Sequence, residues 1–119
     1  MKILFDGSIE KSINKIVIDT FLNGVYKEYG KKLYIIYTGV GKTSDIINDW
    51  AIKNFPNDGT RNCFNAIWYD HYKEEYELFN YELMNETKPD LVFIFGDDSH
   101  DFSKVAKQMG VPVYKVEKI

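Results

Sequence analysis

Cysteine is almost missing from this sequence. Cys63 stands alone among 119 residues, so no intrachain disulfide can form. Histidine is nearly as scarce, with only His71 and His100, and one cysteine plus two histidines falls short of a Cys/His zinc set. From this inventory no metal and no cofactor is expected. A basic excess is also lacking: 15 Lys and Arg face 18 Asp and Glu, for a net charge of −3 and a pI near 5.3. Beyond Lys31-Lys32 no basic cluster exists. The basic face that phosphate neutralisation along a nucleic acid demands is therefore absent, and no nucleic-acid partner is expected. Long apolar runs are missing as well. None approaches the ~18 residues of a membrane span, and Asp6-Gly7 cuts the opening MKILF run too early for a signal peptide. The expectation is a cytoplasmic chain with no membrane partner. With no Pro- or Ser-rich linker and no repeat, residues 1–119 are read as a single domain.

What is present is an alternation of short apolar runs and longer amphipathic ones. Hydrophobic residues make up 45% of the chain, enough for a core without staples. Lys2–Phe5 reads as a strand, then Ile13, Ile16, Val17 and Phe21 follow helical spacing up to a glycine cap at Gly30. Lys32–Thr38 is β-branched and aromatic and predicts a second strand. Ile46, Ile47, Trp50, Ala51 and Phe55 form the next helical stripe, and Cys63–Tyr69 predicts a third strand. Tyr72, Tyr76, Phe79 and Leu83 mark one face of a further helix, opened by Asp70 as its N-cap. Asp90–Phe95 is a near-continuous apolar run, the pattern of a central strand covered on both faces. A short helix through Val105, Ala106 and Met109 ends at Gly110, and Pro112–Val116 is the last strand. The order predicts an α/β fold, Rossmann-like, with about five strands in a mostly parallel sheet and helices on both faces.

In such sheets ligands bind beyond the C-terminal strand ends, where the strand order reverses. Three loops qualify. Gly7-Ser8 follows the first strand. Gly39-Val40-Gly41-Lys42-Thr43-Ser44-Asp45 links a strand to a helix, with two glycines, a lysine and three residues able to cap the helix, which is a setting for an anion. Gly41-Lys42-Thr43 matches the end of a P-loop, but Ile36 stands where that motif needs its first glycine, and the loop is short for wrapping a triphosphate. The third loop, Gly96-Asp97-Asp98-Ser99-His100-Asp101, carries carboxylates suited to ribose hydroxyls, with Asp98 or Ser99 as an alternative helix cap. His100 is expected to be a solvated loop residue. Asn80, beside the aromatic stripe, faces either solvent or a ligand.

The ILFDGS opening, the TGVGKTSDIINDWA and KPDLVFIFGDD segments and the closing GVPVYKV together resemble the small DUF2493 proteins. These are similar to the YspA/YpsA group of the SLOG superfamily, relatives of LOG proteins and of DprA. Gly39, Ser44, Asp45, Trp50 and Ala51 carry the closest match. The resemblance implies a Rossmann-like fold that binds nucleotides or nucleotide-derived molecules, and its LOG relatives cleave the N-glycosidic bond of nucleoside monophosphates. Here Gly7-Ser8-Ile9 stands in place of their Gly-x-Arg, Phe79-Asn80 in place of Arg-Asn, and Gly96–Asp101 in place of a second glycine-rich loop.

Three functions follow from these readings. The first is binding of a nucleotide-like ligand, for sensing or for sequestration as a phage anti-defence sponge. Its ligand residues would be Gly7, Ser8, Gly39–Asp45, Asn80, Gly96, Asp97, Asp98 and Ser99. The second is a LOG-type N-glycosidase or phosphohydrolase using Asp97 or Asp98. The third is a homo-oligomeric interaction protein, a dimer or larger, joined through Tyr72, Tyr76 and Phe79.

Overall fold

The computed structural model describes residues 1–8, 10, 14–39, 41–54, 61–63 and 76–116. In chain order these form β1 (Lys2–Gly7), α1 (Lys15–Tyr29), β2 (Tyr34–Tyr37), α2 (Lys42–Asn54), β3 (Arg61–Cys63), α3 (Tyr76–Thr87), β4 (Leu91–Phe95), α4 (Phe102–Met109) and β5 (Val113–Val116). The sheet order is β3-β2-β1-β4-β5 and every pairing is parallel. The fold class is α/β. Four of the strands have four residues or more. The third is a three-residue edge ladder, Ile35–Tyr37 against Arg61–Cys63, which begins two residues before the run predicted for it. The rest of that run, with Asp70, His71 and Tyr72, lies outside the described residues, as do Ile13, Val40 and Phe55.

Side-chain alternation divides the core in two. Ile3, Phe5, Ile35, Tyr37 and Phe95 point to one face and pack under α1 and α2. Leu4, Ile36, Val92 and Ile94 point to the other and pack under α3 and α4. Helices thus cover both faces, but unevenly. Leu91 and Phe93 of β4 are only half-buried on the α1 side. The apolar run Asp90–Phe95 predicted a strand covered on both faces. It is fully covered on one, because on the other face the described part of α1 reaches β4 in part, with Phe21 against Phe93 and Phe95.

The helix ends follow the expected chemistry. Asn14 accepts the Ile16 N–H at 2.8 Å and starts α1. Gly30 ends it, its N–H bonded to the Tyr26 carbonyl, and Gly110 ends α4 in the left-handed conformation. Among the described residues no helix is long and apolar enough to cross a membrane.

Candidate functional site

Strand order reverses between β1 and β4, because the chain leaves β1 for β2 on one side and returns to pair β4 on the other. The loops after β1, β2 and β4 meet at this point, and Ser8 joins them. Its carbonyl accepts the Thr43 hydroxyl at 2.9 Å and the Thr43 N–H at 3.4 Å. Its own hydroxyl accepts the Asp97 N–H at 2.8 Å, and its N–H donates to the Phe95 carbonyl at 3.2 Å. Gly7 makes this approach possible. A Cβ there would stand 2.2 Å from the Phe95 carbonyl oxygen and 2.8 Å from Thr43 Cγ2. Only glycine fits so close to a neighbouring backbone.

The second loop closes on itself. The Gly39 N–H donates to Ser44 Oγ at 2.8 Å, while Gly39 and Gly41 take φ of 78° and 96°. Thr43 and Ser44 are buried, whereas Lys42 and Asp45 are exposed. The first turn of α2, tied to Ser8 through Thr43, leaves Lys42 exposed at the positive end of the helix dipole.

In the third loop the two aspartates separate. The Asp98 carboxylate accepts the N–H groups of Phe102 and Ser103, at 3.0 and 3.1 Å, and the Ser103 hydroxyl. It is the cap of α4, as one of the sequence readings has it. Asp97 is exposed and uses only its backbone in the described bonds to Ser8. Gly96 has φ 80° and donates to the Val116 carbonyl at 2.8 Å, and Ser99 is half-buried.

His100 corrects the sequence reading. It is fully buried, not solvated, and its Nδ1 lies 2.7 Å from Oδ2 of Asp6, which is 1% exposed. Asn80, also fully buried, donates from its side chain to the His100 carbonyl. The loop histidine is thus turned inward by two polar groups, one on β1 and one on α3. Burial pushes the Asp6 carboxyl above its ordinary value; the hydrogen bond and charge of His100 and the Gly7 N–H oppose this only in part, and Asp98 adds to it. Oδ1 of Asp6 and Oδ1 of Asn80 have no hydrogen-bond partner among the described residues. Asn80 therefore faces neither solvent nor the outer surface of the three loops. It lies in the layer beneath them.

Asp6 is the residue that the sequence pattern does not reveal, since Asp6-Gly7-Ser8 reads as the end of a strand. The signal was available: a carboxylate inside a buried parallel strand needs a partner, and few groups in this chain can supply one. Among the described residues no group of three or more His, Cys, Asp or Glu is placed to hold a metal ion. Fold and loops together define a parallel α/β protein whose strand-end loops converge at the reversal of strand order. The chain matches no protein-family model, no curated protein and no solved structure.

Proposed function

We propose that the chain is a Rossmann-like binding protein for a small phosphorylated, nucleotide-like ligand, held outside the junction of Gly7-Ser8, Gly39–Asp45 and Gly96–Ser99. The observation that carries this reading is the convergence of the three loops on Ser8 beside the first turn of α2. Lys42 and the helix end would receive the phosphate, and Asp97 the ribose hydroxyls. The strand order β3-β2-β1-β4-β5 supports the Rossmann-like assignment, since it is the order of a mononucleotide-binding half with its neighbours.

Binding without turnover is favoured over cleavage by the commitments inside the site. Asp98 spends both carboxylate oxygens on α4, and His100 is buried against Asp6. Neither is presented to a ligand as a base. The role is then sensing or sequestration. The test is a panel of nucleoside monophosphates, ADP-ribose, NAD and cyclic nucleotides, read by thermal shift and native mass spectrometry. The ligand should be recovered intact, and a recovered free base would turn the reading toward the glycosidase.

A further inference from the structure

On the α1 face of the sheet, α1 covers β4 only in part among the described residues, with Phe21 set edge-on against Phe93 and Phe95. The result is an apolar groove of about 570 Å³ with α1 as its wall and Leu91 and Phe93 in its floor. Tyr114, 53% exposed, stacks on Phe93 at 5.4 Å and continues the apolar surface onto β5. We propose that this face docks a second copy of the chain, about a two-fold axis that passes near the midpoint of α1.

The pattern along α1 is self-complementary. Its outer row, at four-residue spacing, is Ile16, Thr20, Gly24 and Glu28, all exposed. The midpoint of Lys15–Tyr29 is Leu22, so in an antiparallel pair Thr20 of one copy crosses Gly24 of the other. The same symmetry sets Ile16 opposite Glu28, and Lys15 beside it. The row is low in the middle and high at its ends, which lets two helices cross closely at the centre. It is also opposite in charge at its two ends: Lys15, 60% exposed beyond its contact with Asp19, is brought to the partner's acidic Glu28 end. Ile16, 72% exposed, lies on the rim of its own copy's groove and is brought to the Glu28 end of the partner's groove, where its apolar side chain covers apolar lining. One surface carries both the knob and the hole, as an isologous contact requires.

Gly24 agrees with this from an independent direction. A Cβ on Gly24 would meet nothing within 4 Å among the described residues, so their packing does not call for glycine there, while glycine inside a helix weakens it relative to alanine. Close approach of a second α1 accounts for it. The side chains of the Tyr72/Tyr76/Phe79 stripe lie outside the described residues, and the proposed surface on α1 stands on its own observations. The face is small: α1 is about 22 Å long, which puts the buried area at the low end of specific interfaces and dissociation in the micromolar range.

Sedimentation of the full chain from about 1 to about 300 μM spans the concentrations at which such an interface exchanges. A monomer–dimer equilibrium is expected, weakened about tenfold or more by Ile16→Glu and by Gly24→Gln. Both substitutions lie on an exposed row, so far-UV circular dichroism and the melting point of dilute protein should match or exceed wild type. A monomer throughout the range overturns the proposal, and so does a dimer that both variants leave intact. This surface is independent of the ligand loops, so the two readings fail separately.

Discussion

Asp6 is the residue on which the interior of the site turns. A buried carboxylate whose pKa is raised in the folded state binds its proton more tightly folded than unfolded. Its favourable contribution is complete below the ordinary carboxylate value of 3.8 and is lost as pH rises through the folded value. Asp6→Asn removes this loss and keeps an acceptor for His100. Urea unfolding of both proteins should show wild type falling behind Asp6→Asn as pH rises from about 4. A wild type that gains on the variant over that range would contradict the assignment. Asp6→Ala leaves His100 Nδ1 facing no carboxylate in the core and should cost about 1–3 kcal/mol. Gly7→Ala belongs to the same scale. With a carbonyl oxygen 2.2 Å from the new Cβ, β1 and β4 have to separate, at about 1–3 kcal/mol or more, read as a lowered urea midpoint.

At the scale of elements, α4 depends on Asp98. It has eight residues, too few to be stable alone, and its first two N–H groups end on that one carboxylate. Asp98→Ala should cost about 1–2 kcal/mol, and hydrogen exchange should show the loss concentrated in 102–109. A uniform effect across the sheet would argue against a capping role. The elements also show what the sequence could and could not disclose. β1, β2, β4 and β5 were legible because each is a short apolar run bounded by turn residues. A third strand was legible from the run that begins at Cys63, but its start at Arg61 was not, because Arg61-Asn62 carries no strand pattern of its own and pairs through its register with Ile35 and Ile36. The loops Gly7-Ser8 and Gly39–Asp45 were legible from glycine and cap chemistry. The burial of His100 was not, since it is decided by Asp6, 94 positions away in the chain.

At the scale of the whole molecule, the sheet divides the tasks between its ends and faces. Its C-terminal edge gathers three loops through Ser8. Its α3–α4 face buries the Asp6–His100–Asn80 network beneath them, and its α1 face carries an apolar groove among the described residues. The central claim concerns the loops, and its most direct test is thermal shift with native mass spectrometry on wild type and Lys42→Ala against the nucleotide panel. At about a hundredfold excess over Kd a ligand adds about 2.7 kcal/mol, several degrees for a chain of this size. The expected result is such a shift with at least one phosphorylated ligand, recovered intact, and reduced at least about tenfold in affinity in Lys42→Ala, as loss of one charge contact of about 1.4 kcal/mol implies. No shift with any member of the panel at millimolar concentration, or a shift that Lys42→Ala leaves unchanged, would contradict it.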